Sequence, residues 1–144
     1  MIEQDTIKLL RECDAGVKMG TDSIRDVEER IKSQELRDYL SACKKEHEEL
    51  GKEIEKLLDK YKDDGKEPNF MAKGMSHMKT GMKLMVEESD NTIADLMTDG
   101  CYMGVKSLNR YLNQYKAADE VSKDIAKRLI NLEEKMAVEL RKYL

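Results

Sequence analysis

The sequence predicts an all-α protein, a four-helix bundle of two antiparallel helical hairpins joined by a long, partly helical crossover. Three observations lead there. Apolar residues recur at alternating steps of three and four in four separate stretches, the spacing of a helical face rather than of a strand. Chain breakers are confined, with one proline and one dense turn cluster, Asp63-Asp64-Gly65-Lys66-Glu67-Pro68-Asn69. Charged residues make up 39% of the 144-residue chain with both signs mixed, as the outer faces of a solvated bundle require. That length suits one domain over residues 1–144 rather than two independent cores.

The first helix, expected over about residues 3–31, carries the stripe Leu10, Cys13, Val17, Gly20, Ile24, Val27 and Ile31. The second, about 34–63, reads Leu36, Leu40, Cys43, His47, Leu50, Ile54, Leu57 and Tyr61, with Ser33 as its N-cap. So short a join forces a hairpin. The third, about 86–115, carries Ile93, Met97, Cys101, Val105, Leu108, Leu112 and Tyr115. The fourth, about 120–143, carries Val121, Ile125, Leu129, Leu132, Met136, Leu140 and Tyr143 behind an expected cap at Asp119. The acids and lysines from Lys44 to Glu67 read as a wet helix face, with Glu48–Lys52 and Glu53–Lys56 as local pairs.

The crossover, about residues 64–85, holds a methionine stripe, Met71, Met75, Met78, Met82 and Met85. Its heptad continuation meets the polar Ser89, Thr92 and Asp99, so a break is expected between Thr80 and Asp90. The stripe reads first as an amphipathic packing face, for which methionine suits. A partner-binding surface and thioether binding of Cu(I) near His77 are the other readings. Phe70 and the lysines Lys73, Lys79 and Lys83 are too few to make a membrane-surface helix.

An internal echo ties the hairpins together. Gly16, Met19, Gly20 and Ser23 recur at a constant offset as Gly100, Met103, Gly104 and Ser107. A glycine in mid-helix costs roughly 1 kcal/mol relative to alanine, usually offset by close helix approach or by room for a neighbour's side chain. Both glycine pairs are therefore expected to face inward. Two hairpins, a crossover and a duplicated glycine pattern resemble the ferritin-like four-helix bundles. Leu9-Leu10-Arg11-Glu12-Cys13-Asp14-Ala15-Gly16 and Gly104-Val105-Lys106-Ser107-Leu108 are similar to bacterial ferritin-like families of unknown function.

That resemblance implies a place for a paired-iron site, which needs a Glu from each of two helices and a Glu-x-x-His from each of the other two. The sequence departs from it. Its two histidines are His47 and His77, Lys44 stands three before His47, and Met136 and Ala137 follow Glu133 and Glu134 where a histidine would sit. The first-helix stripe carries no carboxylate between Leu10 and Ile31.

His47 is the most informative single residue. It sits in mid-seam, level with Val17 by counting from the hairpin turn, while the same count sets Cys101 near Glu133 and Glu134. A layer of His47, Cys101 and Glu133 would supply three candidate metal ligands; the plainer expectation is a neutral core histidine bonded to a neighbour. Cys43 lies one turn from His47, but a buried thiol without an orienting third group is inert.

Net charge of −4 and a pI near 5.4 predict no nucleic-acid partner. Cys13, Cys43 and Cys101, odd in number and far apart, predict buried free thiols in a reducing cytoplasm. No run of 18 apolar residues occurs, and the N-terminus has no basic or apolar leader, so neither a membrane span nor a signal peptide is expected. There is no GxSxG, Walker, HExxH or dinucleotide signature. The reading is a non-catalytic, cytoplasmic bundle that needs no cofactor and acts as a homo-oligomer, a dimer first, or through a protein partner. The alternatives are a metal-binding bundle with an atypical site at His47, Cys101 and Glu133, and a Met-rich copper- or peptide-binding surface.

Overall fold

A computed structural model describes residues 2–67 and 89–144. Among them are four long helices and no strand. Helix α1 runs Ile2–Val27, α2 Gln34–Lys60, α3 Asp90–Gln114 and α4 Glu120–Leu140. Short 3-10 turns, Glu28–Arg30 and Arg141–Tyr143, follow α1 and α4. The methionine stripe, His77 and the expected break lie almost wholly outside the described residues.

Helix starts leave backbone N–H groups without intrahelical partners, and here side chains take them. Ser33 Oγ accepts the Leu36 N–H at 3.2 Å and Asp119 Oδ1 the Ser122 N–H at 2.8 Å, the two caps read from sequence. Ser89 caps α3, accepting from Thr92 at 3.3 Å. Helix α2 ends at Lys60 rather than near 63, because Lys62 turns left-handed at φ 55.

The two ends of the bundle are tied by the same chemistry. Asp90 accepts the backbone N–H groups of Lys32 and Ser33, both at 2.9 Å, which seats the start of α3 on the α1–α2 connection. At the far end Asp5 accepts the Ala117 N–H at 3.0 Å and Thr6 Oγ1 the Asp119 N–H at 2.8 Å. Along the α1–α2 seam Glu28 pairs with Lys44, Asp22 and Glu48 share Arg25, Gly20 faces His47, and Val17 faces Gly51. Helix α1 packs closely on α2, and α3 on α4; α2 touches α4 more sparsely.

The interior divides into two apolar clusters. One gathers Leu9, Leu10, Cys13 and Val17 with Leu50, Ile54 and Leu58 of α2, Leu108 of α3, and Ile125, Leu129 and Ile130 of α4. The other gathers Ile24, Val27 and Ile31 with Leu36, Leu40, Cys43, Ile93, Met97, Cys101, Met136 and Leu140. Between them each helix contributes one residue that belongs to neither: Gly20, His47, Gly104 and Glu133.

Several expectations are corrected. Leu58 takes the buried place given to Leu57, and Ser122 replaces Val121, which is exposed. A straight helix of 3.6 residues per turn drifts out of a strict heptad over such lengths. Gly100 faces outward, with no atom within 4 Å of a Cβ placed there. Asp14, one residue off the expected stripe, is buried with 2% of its surface exposed. It accepts the Lys66 N–H at 3.0 Å and the Lys18 ammonium at 2.9 Å. Gly65, at φ +83, comes so close to this carboxylate that a Cβ would overlap it. Asp14 thus anchors the chain after α2 to α1. That use explains a buried acid where the apolar spacing expects none.

Candidate functional site

The layer between the two apolar clusters holds the functional candidate. His47 is fully buried and Glu133 is 8% exposed. The imidazole lies where α1 gives it room: a Cβ on Gly20 would come within 2.8 Å of His47 Cδ2. Glu133 faces Gly104 in the same manner more loosely, at 3.7 Å. The repeated glycine on α1 and on α3 therefore makes room for the polar side chain on the helix that follows each. His47 meets Gly20, not Val17 as counting from the turn places it. The α1–α2 connection, residues 28–33, is long enough to move the register by about one turn.

Both ring nitrogens are engaged. His47 Nδ1 lies 2.8 Å from the Cys43 carbonyl oxygen, and Nε2 lies 2.8 Å from Glu133 Oε1. A carbonyl can only accept, so Nδ1 carries a hydrogen and donates it. The Nε2–Oε1 contact then holds one further proton, on the ring or on the carboxyl. Burial alone pulls an imidazole pKa down; the hydrogen bond and charge of Glu133 outweigh it, so His47 lies above its usual 6.5. The expected core histidine bonded to a neighbour is found. Its neighbour is a carboxylate, and that carboxylate favours the imidazolium.

The cysteines frame the couple. The Cys101 thiol donates to Glu133, and burial, followed by that carboxylate's charge, pushes its pKa up. Cys43 is pushed up to about 11, chiefly by burial, while Tyr39 hydrogen-bonds its sulfur. Cys13, in the other cluster, is pushed up to about 12 by burial and by Glu12 and Asp14. All three are free, buried and held as thiols, as the sequence spacing suggests.

His47, Cys101 and Glu133 are thus brought together, but as partners of one another. Among the described residues no group of three or more His, Cys, Asp or Glu side chains is placed to hold a metal ion. The ring spends one nitrogen on a carbonyl and the other on a carboxylate. No Glu-x-x-His pair exists in α2 or α4. The donor set does not fit a paired-iron centre. Glu134, the other candidate neighbour of Cys101, is exposed.

Outside the couple, the loosely packed α2–α4 side forms a groove of about 360 Å³ between Glu46, Glu49, Glu53, Arg128 and Lys135. A niche of about 20 Å³ leads from His47 to its edge past Tyr39, Glu46 and Lys135. Among the described residues no helix is long and apolar enough to cross a membrane. Compared with known proteins, the chain matches no family model, no curated protein and no solved structure.

Proposed function

We propose that this chain is a non-catalytic, ferritin-like helical bundle that works by self-association, pairing with a second copy through the outer face of α3. Gly100 carries the reading. Each of the other four glycines in the described helices has a neighbour that explains it: Leu129 at Gly16, His47 at Gly20, Val17 at Gly51 and Glu133 at Gly104. Gly100 has none among the described residues, yet it costs helix propensity like the rest. Near it Tyr102 is 57% and Met103 67% exposed, large apolar side chains that no described residue covers. An exposed mid-helix glycine flanked on the helix surface by Met103 lets a second helix approach closely.

The partner numbers along the seams support antiparallel hairpins. They fall along α1 as they rise along α2, from Glu28–Lys44 to Val17–Gly51. The chain leaves α2 beside Glu12 and Lys18, and α3 begins beside Lys32 and Ser33. Ends set at different levels along α1 accord with the crossover of a ferritin-like plan. A cytoplasmic setting accords with three buried free thiols.

Sedimentation of the full chain tests the association. The wild type is expected to run as a dimer at micromolar concentration. Gly100→Leu and Tyr102→Lys/Met103→Lys are expected to run as monomers with unchanged helix content. A wild type that stays monomeric over the same range removes the proposal. The metal-binding alternative draws on the convergence of His47, Cys101 and Glu133. Metal analysis after chelator-free purification decides it: stoichiometric metal lost in His47→Ala supports it, and trace metal unaffected by that change rejects it.

A further inference from the structure

We propose that His47 and Glu133 form a proton-binding couple that locks α2 to α4 while it holds its proton and loosens that side of the bundle when the proton leaves. Four observations carry this, none of which depends on how α3 is used.

The first is a count of hydrogens. A neutral imidazole has one N–H, and His47 has two oxygen neighbours, the Cys43 carbonyl and Glu133 Oε1, each at 2.8 Å. Both contacts are satisfied while the couple carries its extra proton. When that proton goes to solvent, the products are a neutral ring and a bare carboxylate. One ring lone pair must then face an oxygen lone pair, whichever tautomer forms.

The second is confinement. The ring is fully buried, and Gly20 lies so close that a Cβ there would reach 2.8 Å from Cδ2. The imidazole has little freedom to turn away from the new repulsion. What yields instead is the helix that carries it.

The third is the surroundings. On α2 the ring is faced by the Cys43 thiol, Glu46 and Tyr39 along the niche; on α3 the Cys101 thiol reaches the same carboxylate. On α4 stand Glu133 and, at the niche, Lys135. The α1 contact is Gly20. Both thiols stay protonated near neutrality, so neither replaces the missing hydrogen by titrating. Lys135 sits at the solvent end of the niche. The couple is thus the titrating centre of the layer.

The fourth is position. The couple joins α2 to α4, which pack more sparsely than α1 on α2 or α3 on α4, beside a groove already open to solvent. The niche at the ring, about 20 Å³, has room for one water, so the proton has a short way out. Loss of the contact falls where only sparse packing opposes separation.

The sign follows from linkage. A histidine raised above its unfolded 6.5 contributes stability that is complete below that value and is lost as pH rises through the folded pKa. Between those two points the folding equilibrium constant falls by up to about tenfold for each pH step of one.

The test is an NMR titration of the imidazole resonances in the full chain, with His77→Gln to assign them, beside denaturant unfolding across the same pH range. His47 is expected to titrate above 6.5, with stability falling over that interval and with amide exchange in α2 and α4 quickening ahead of that in α1. In Glu133→Gln the His47 midpoint is expected to fall, since burial is then opposed only by the Cys43 carbonyl and the charge of Glu46. In His47→Gln/Glu133→Gln the fall in stability is expected to vanish. A wild-type midpoint at or below 6.5 overturns the proposal even if every variant fails to fold. So does an equal pH-dependent fall in the double variant.

Discussion

Gly20 and Gly100 stand in chemically similar helices and respond to opposite demands. A methyl at Gly20 meets the His47 ring at 2.8 Å, so Gly20→Ala trades a helix gain of about 1 kcal/mol against overpacking of about 1–3 kcal/mol. Net destabilisation is expected. At Gly100 a methyl meets nothing, and Gly100→Ala should stabilise the dilute monomer by up to about 1 kcal/mol. Denaturant titrations of both variants at low concentration check the contrast. The His47–Glu133 couple behaves as a pair. Removing one partner, as in His47→Ala, leaves an uncompensated buried carboxylate and should cost about 3–5 kcal/mol. Replacing both, in His47→Leu/Glu133→Leu, should recover most of that loss, because buried ion pairs seldom outweigh well-packed apolar groups. A double variant no more stable than His47→Ala would contradict this.

Between elements, a few acids do the fastening. Asp90 holds two backbone donors of the α1–α2 connection, and Asp14 holds the chain after α2. Asp90→Ala leaves those two N–H groups without the carboxylate and should cost about 1.5–3 kcal/mol by unfolding measurements. Asp119→Ala should cost nearer 1 kcal/mol, the usual worth of one N-cap. By contrast Glu53 and Arg128, though joined by two bonds at 2.6 and 3.0 Å, are each about half exposed. Their ion pair is expected to contribute no more than about 1 kcal/mol, and less in high salt. Arg128→Ala with a clear loss beyond that would show that the groove depends on this clasp.

For the whole molecule the consequence is a core in two halves with a titratable seam. Each half is close-packed aliphatic and sulfur-bearing, and the polar layer crosses all four helices once. Such a layer favours one register of α2 against α4, since sliding by a turn would bury His47 and Glu133 apart from each other. Thiol labelling gives a global readout. Cys13, Cys43 and Cys101 are buried, and their thiols ionise only well above neutral pH, so a disulfide reagent should react only as fast as the protein opens. Labelling of Cys43 and Cys101 should quicken above the His47 midpoint while Cys13, in the other cluster, lags. Uniform labelling of all three would mean that the two halves open together.

The helical character, the caps at Ser33 and Asp119, the burial of the cysteines and the place of His47 on an apolar seam could all be read along the chain. Each depends on neighbours within one or two turns, and periodicity carries that information. The Gly20–Gly104 echo pointed to the layer without saying what would fill it. Which side chain meets His47, which glycine faces out, and why Asp14 is buried depend on residues dozens of positions apart. They follow from the length of the 28–33 connection, from the phase drift of straight helices, and from which of several packings lets two apolar halves close around one shared proton. No pattern within a single helix encodes those quantities, because they are properties of pairs of helices.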